Sequence, residues 1–257
     1  MKSREISNSR KKRSIWSQII AGILVNAVYE MRNYPVVLIN TVLSPLSFLI
    51  LIFFVSHGKL LGVAVEGGLI MSMFSAGMAL QGDMSHLKND FKLQDMVVSS
   101  PTKWSSYMIG IAISEIVYSI PALAVLSVLG IYTLRMSPSG LLQLIGVLFL
   151  LFLTSIALGY TFATLSSDIV QSFAFSRLLS TLFSTLPPVY YLITYIPLPW
   201  RYLAYISPTT YAAELAQNAA GYLPLSHTLI SIDWTVLILV TISLAFVAKT
   251  QARWREI

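Results

Sequence analysis

The sequence contains no cysteine, which excludes disulfides, thiolate metal sites and thiol nucleophiles. Charge is also scarce. Only 11% of the 257 residues are charged, whereas soluble domains carry roughly 25%. Hydrophobic residues make up 56% of the chain. They gather in runs close to the roughly 20 residues that a helix needs to cross a bilayer at ~1.5 Å per residue. The sequence therefore predicts an integral membrane protein.

Motifs for catalysis and for phosphate or metal binding are missing as well. The pair Gly58-Lys59 is followed by Leu60, and position 53 is Phe, so the spacing of a phosphate-binding loop is not met. The three histidines, at positions 57, 86 and 227, lie in separate loops and predict no metal cluster. We expect no enzyme activity, no metal and no cofactor on this chain.

Six apolar segments predict an all-α fold of six transmembrane helices, at 35–54, 60–80, 105–132, 140–165, 169–186 and 229–248. With the N-terminus inside, 14 of the 17 lysines and arginines fall on the inner side and three on the outer side. Basic residues favour the cytoplasmic side of a membrane. The pattern predicts a multi-pass protein of the cell membrane with both termini cytoplasmic. The net charge of +6 is thus explained by basic residues on the cytoplasmic side of the membrane. A nucleic-acid partner is not expected.

Residues 1–34 predict a basic cytoplasmic tail followed by an amphipathic helix, and residues 35–257 form the six-helix transmembrane domain. Ile15, Ile19, Ile23 and Ala27 recur at four-residue steps, which is typical of a helix lying in the membrane interface. Pro35 disfavours helix at the preceding residue and ends this segment. A cleaved signal peptide or an extra span are the alternatives for this stretch.

The loop at 83–103, between spans two and three, is the most polar internal stretch. Leu87, Phe91 and Met96 can line one side of a short helix within it, and Ser100-Pro101 ends that helix before span three begins. One interpretation is a solvated loop without contacts. The other is a docking helix for a cytoplasmic partner, whose candidate contacts are Asn89, Asp90, Phe91, Lys92 and Asp95.

Residues 187–222, between spans five and six, are apolar and aromatic but interrupted by prolines at 187, 188, 197, 199 and 208. Each proline removes a backbone donor. Broken backbone at membrane depth is tolerated where it is buried in protein or lines a wet cavity. The pattern favours a re-entrant helical hairpin, and a seventh span at 202–222 is the alternative.

Four ionisable residues fall within or beside the spans, and each is a candidate for the translocation path: Glu66, Glu115, Arg177 and Glu214. Because charge inside a membrane is costly, such residues usually face the protein interior. Glu115 and Arg177 lie at similar depths in spans three and five, so they are candidates for an ion pair. Alternatively, Glu115 is neutral and Arg177 extends toward the interface.

Together these features resemble the permease subunits of ATP-binding cassette exporters of the type-2 class, over nearly the whole chain. The most specific piece is Leu198-Pro199-Trp200, followed by Ser207-Pro208-Thr209-Thr210-Tyr211 and Glu214. Ser207 stands where the family usually has asparagine. The re-entrant motif residues are thus Pro199, Pro208 and Tyr211.

The resemblance implies two permease subunits, here a homodimer, working with two cytoplasmic ATPase subunits that bind ATP and Mg²⁺. In it, 89–98 is the coupling helix and spans one, two and five line the substrate path. The implied function is export of an amphipathic or lipid-linked substrate, such as a drug, lipid or glycan. The rivals are an ion-coupled secondary transporter that uses Glu115 as proton carrier, an intramembrane enzyme and a non-transporting scaffold.

The topology is testable with single cysteines, because the chain has none of its own. We expect Asp90→Cys to react with a membrane-impermeant maleimide only after the cells are permeabilised. Lys59→Cys, in the predicted outer loop, should react in intact cells and serves as the control. Labelling of the Asp90→Cys variant from outside would contradict the orientation.

Overall fold

The computed structural model of the chain describes residues 15–89, 104–134, 136–166 and 168–251. Every regular element in these ranges is helical, which confirms the predicted all-α class. Helix α1 comprises three consecutive segments, Ile15–Ile23, a π-helical Leu24–Val28, and Tyr29–Asn33. The longer helices are α2 Pro35–Val55, α3 Leu61–Asn89, α4 Trp104–Thr133, α5 Pro138–Leu165, α6 Ile169–Thr185 and α9 His227–Gln251. A 3₁₀ turn, Ile193–Tyr195, and two short helices, α7 Arg201–Ala204 and α8 Pro208–Ala219, lie between α6 and α9.

Five of the described helices are long and apolar enough to cross a membrane, namely α2, α3, α4, α5 and α9. They coincide with five of the six predicted spans. Helix α6 has 17 residues, which at ~1.5 Å per residue gives about 25 Å against a hydrocarbon core of about 30 Å. The sixth span therefore stays a prediction, as does the position of α1 at the membrane interface.

Helix α3 is the centre of the bundle, because it packs against α2, α4, α5, α6 and α8. Its core side chains include Ile70, Phe74 and Met78, all essentially inaccessible. Between residues 61 and 85 its exposed positions are only Ser75, Ala79 and Asp83, which follow one another at four-residue steps. One narrow stripe of an otherwise buried helix thus stays open.

Glycines allow α3 and α5 to approach closely. A Cβ on Gly77 would lie 1.8 Å from the Oγ of Ser155 and 2.9 Å from the backbone nitrogen of Ile156. A Cβ on Gly159 would lie 3.1 Å from the carbonyl oxygen of Gly77. Small residues at such crossings let the backbones of membrane helices meet.

Helix α1 lies against α4, where Gly22 and Gly110 face each other. Ile19 and Ala27, from the predicted apolar stripe, are buried in this contact. Ile20 and Leu24, on the neighbouring stripe, are exposed. One apolar side of α1 therefore packs against the protein, and the neighbouring apolar side is exposed.

The segment between α6 and α9 does not form the alternative seventh span at 202–222. Helix α7 ends at Ala204, and α8 begins anew at Pro208, whose ring suits the first position of a helix. Ser207 caps α8, its Oγ accepting a hydrogen bond from the Thr209 backbone nitrogen. Helix α8 has 12 residues, about 18 Å, and is too short to cross. Two short helices therefore lie in this segment, and the re-entrant hairpin stays a prediction.

Replacing Gly77 with alanine should destabilise the bundle by about 1–3 kcal/mol, because the added methyl group overpacks the α3–α5 crossing. The measurement is the thermal unfolding midpoint of the purified protein in detergent. Gly82→Ala is the matched control in the same helix, since its Cβ would meet only Phe173, at 3.6 Å. Equal midpoints for the two variants would contradict the close crossing.

Candidate functional site

A cavity of about 540 Å³ lies between α2, α3, α4 and α6. The open stripe of α3 faces it, since Ser75, Ala79 and Asp83 all line it. Ligand pockets typically measure about 300–1,000 Å³. The cavity therefore has the size of a small-molecule site, and it explains why the central helix keeps one accessible stripe.

One end of the cavity is acidic. Glu30 from α1, Asp83 from α3 and Glu115 from α4 converge there. Glu30 and Asp83 are exposed, whereas Glu115 is only 7% exposed and hydrogen-bonds to Asp83. Tyr118, one turn beyond Glu115 on α4, lies close to the Glu30 carboxylate. Three different helices thus bring carboxyl groups to one mouth.

The other end of the cavity is apolar and aromatic. The rings of Phe48 and Tyr190 are stacked there, with centroids 5.0 Å apart and planes at 13°. Met71 contributes from α3, twelve residues before Asp83. At ~1.5 Å per residue, this spacing separates the two ends by about 18 Å.

Small polar side chains line the walls between the two ends. Helix α2 provides Thr41 and Ser44, and α6 provides Ser180 and Thr181. The hydroxyl oxygen of Ser72, on α3, is inaccessible and has no hydrogen-bond partner among the described residues. Buried hydroxyls are normally satisfied, and Ser72 is an exception to that rule.

The predicted translocation residues fall in different places. Glu115 lines the cavity, but Arg177 is exposed on α6 and does not line it. The predicted pair between these two residues is absent from the described part of the chain, because Glu115 contacts Asp83 instead. Glu66 is fully buried in α3 outside the cavity, and neither of its carboxyl oxygens has a hydrogen-bond partner among the described residues.

Glu214 lies in α8, 4% exposed, and its Oε1 accepts a hydrogen bond of 2.9 Å from the Tyr205 hydroxyl. Burial raises the pKa of Glu214, and the Tyr205 bond and the Arg201 charge oppose that rise. Burial, followed by the Glu214 charge, raises the pKa of Tyr205, so its hydroxyl keeps the proton that it donates. The hydrogen bond between Tyr205 and Glu214 therefore joins the C-terminal end of α7 to α8.

The other residues of this segment are tied to backbone. The Tyr211 hydroxyl donates to the Tyr205 carbonyl at 2.9 Å, and the Thr210 hydroxyl donates to the Ala204 carbonyl. Pro199 precedes α7 by two positions, and Pro208 opens α8. The predicted motif residues thus shape the turns of the segment and do not line the cavity.

The Nε2 of Gln217, which is buried in α8, donates to the carbonyls of Pro188 and Tyr191 at 3.0 and 3.2 Å. These carbonyls belong to the broken chain before α7. Backbone groups without helical partners need such donors. Through Gln217, α8 fixes the stretch that carries Tyr190 into the apolar end of the cavity.

The candidate docking residues Asp90, Phe91, Lys92 and Asp95 lie outside the described residues. Helix α3 continues into the predicted loop as far as Asn89, whose side chain is also outside the description.

The sequence model of the ABC-2 type transporter family matches residues 4–220. This match spans most of the 257 residues. The chain belongs to the ABC-2 type transporter family. It is a permease subunit of a type-2 ABC transporter, a multi-pass membrane protein that is not itself catalytic. The family implies an ABC ATPase as its partner. No protein with a curated description matches the chain.

Within the described part of the permease, no group of three His, Cys, Asp or Glu residues is arranged to hold a metal ion. The carboxyl groups at the cavity mouth therefore face a space for a ligand without forming a metal cage.

Three residues of the permease cavity were not singled out from the sequence, namely Glu30, Asp83 and Tyr190. Glu30 lies outside the apolar stripe of α1, and the loop predicted at 83–103 includes Asp83. A helix continuing from 61 to 89 would have placed Asp83 two turns beyond Ser75 on the same face, and the four-residue spacing of Ser75, Ala79 and Asp83 is a signal for it.

Tyr205→Phe should destabilise the permease by about 1–3 kcal/mol, because it leaves the buried Glu214 carboxyl without its donor. The measurement is the thermal unfolding midpoint in detergent. Tyr202→Phe is the control, since Tyr202 is 69% exposed. The cost of Tyr205→Phe should shrink in a Glu214→Ala background. An unchanged cost there would show that the hydrogen bond is not its source.

Proposed function

We propose that this permease exports an amphipathic or lipid-linked substrate, a drug, lipid or glycan, from the cytoplasmic side of the cell membrane, using ATP hydrolysed by a separate subunit. The observation that carries the proposal is the cavity of a permease-family chain, lined by the spans α2, α3 and α4 together with α6. It combines an acidic mouth with an apolar end. A site of this size and mixed polarity suits a substrate that is itself part polar and part apolar.

The working assembly in this proposal has two copies of the permease and two ATPase subunits. Both termini and the 83–103 loop face the cytoplasm. Residues 89–98 act as the coupling helix that docks on the ATPase, which holds ATP and Mg²⁺.

Helix α3 offers a direct route for coupling. The proposed coupling segment begins at the last residue of α3, Asn89, and Asp83 lies only six positions earlier. A helix moves as a rigid rod over such a distance. Displacement of the coupling segment would therefore shift the stripe of Ser75, Ala79 and Asp83 against α2 and α6.

The segment that carries α7 and α8 supplies the outer closure. It brings Tyr190 over the apolar end, and Gln217 holds that stretch in place. Outward release requires this closure to move away from Phe48.

Family membership speaks for this ATP-driven function over ion-coupled transport through Glu115. A ligand-driven change of state needs contacts that differ between the states. In the ATP-driven scheme, those contacts lie on the ATPase.

The test is affinity purification of the tagged permease from its own host in mild detergent, with bound proteins identified by mass spectrometry. We expect an ABC ATPase to co-purify. Reversing two charges with Asp90→Lys and Asp95→Lys should remove most of it, because like charges across an interface oppose binding.

Lys59→Glu, a charge reversal in the predicted outer loop, is the control and should keep the ATPase bound. Active transport by the permease without any ATPase subunit would contradict the proposal. So would unchanged co-purification of the ATPase with the Asp90→Lys, Asp95→Lys variant.

A further inference from the structure

We propose that the cavity selects amphipathic cations, holding the positive group between Glu30, Asp83 and Glu115 and the apolar body against Phe48 and Tyr190. The inference rests on the proposed transport function, because it names the class of substrate for that same site. It narrows the substrates considered above to those that carry a positive charge.

The charge balance of the lining is the first argument. Three carboxyl groups line the mouth, and no lysine, arginine or histidine is among the described residues that line the cavity. Glu115 and Asp83 hydrogen-bond to each other and Glu30 lies beside them, so the mouth gathers acidic groups. A cation placed there would be attracted, whereas a phosphate or carboxylate would be repelled.

The depth of Glu115 is the second argument. This side chain is 7% exposed, yet it lines an open space. Buried charges are normally paired, but in this cavity the nearest charged neighbours of Glu115 are acidic, namely Asp83 and Glu30. Among the described residues that line the cavity, no basic side chain lies beside Glu115, so a bound cation would be the first positive group at this site.

The polarity gradient along the cavity is the third argument. The mouth with Asp83 and the end with Met71 lie about 18 Å apart along α3, at ~1.5 Å per residue. Aromatic rings stack at the apolar end. Tyr118, near the mouth, also lines the cavity, and aromatic rings attract cations through their faces. An amphipathic cation would therefore match the cavity in one orientation, with its charged group at the mouth and its apolar part at the other end.

The test compares tetraphenylphosphonium with tetraphenylborate, two ions of matched shape and opposite charge. Equilibrium binding is measured on the permease in nanodiscs, and empty nanodiscs correct for partition into lipid. We expect saturable binding of the cation and none of the anion. The double variant Glu115→Gln, Asp83→Asn should weaken cation binding about tenfold or more, since it removes both acidic groups of the hydrogen-bonded pair.

Asp233→Asn is the matched control, because Asp233 is a buried carboxyl, 3% exposed, that does not line the cavity. Ser75→Trp should block binding by filling the cavity, whereas Ser243→Trp, on an exposed position of α9, should not. If the double variant fails to fold, Glu30→Gln takes its place, since Glu30 is exposed on α1.

Equal binding of the two ions, or no loss in the carboxyl variants, would overturn the inference. So would an equal loss in Asp233→Asn. If the cation does not bind while the ATPase still co-purifies, the cation selectivity fails and the transport function stands. If the cation binds selectively but no ATPase is recovered, the cation site stands and the proposed function fails.

Discussion

The close crossing of α3 and α5 at Gly77 and Gly159 is the constraint on which the rest of the bundle depends. Helices in a lipid bilayer gain little from hiding apolar surface, because lipid tails are equally apolar, so close backbone packing must hold them together. The crossing fixes α3 at the centre and covers almost its whole circumference with neighbours. The part of α3 left uncovered, the stripe from Ser75 to Asp83, becomes one wall of the cavity. The position of the cavity thus follows from the packing of the core.

Hydrogen bonds between buried polar groups hold α6, α8 and α9, which do not take part in the glycine crossing of α3 and α5. Gln81 of α3 donates to the Ser172 carbonyl at 2.8 Å and ties α6 to the centre, while the hydroxyls of Thr154 and Thr241 meet at 2.6 Å between α5 and α9. Gln143 of α5 donates to the Leu215 carbonyl of α8 at 3.1 Å. Each of these bonds joins α6, α8 or α9 to α3 or α5. In a low-dielectric surrounding, a polar group without a hydrogen-bond partner costs more free energy than in water. Each of these bonds is therefore costly to break, and a small number of them sets the positions of the helices.

The sequence predicted five of the spans that the structure contains, because long apolar runs have one common explanation, burial in a bilayer. It also predicted a break after span five, since several prolines cannot sit in a continuous helix. It could not predict the cavity. Within a span, serine and alanine occur on packed, lipid-facing and cavity-facing sides alike, so periodicity does not tell these sides apart. The three carboxyl groups of the mouth come from α1, α3 and α4, and only the tertiary packing brings Glu30, Asp83 and Glu115 together. Asp83 was further hidden by the length of α3, which continues to Asn89.

Glu66 and Glu115 show why residue type and depth are not enough to assign a role inside a membrane. Both lie in spans, and both are almost inaccessible. Glu66, in α3, is fully buried and does not line the cavity. Glu115 is enclosed on one side and open to the cavity on the other, with Asp83 as its hydrogen-bond partner. A carboxyl group can attract a cation only where the cation can reach it, and a low-dielectric surrounding makes that attraction strong only where water is scarce. Of the two residues, Glu115 alone meets both conditions in the described structure, and its selectivity for positive charge follows from where it lies.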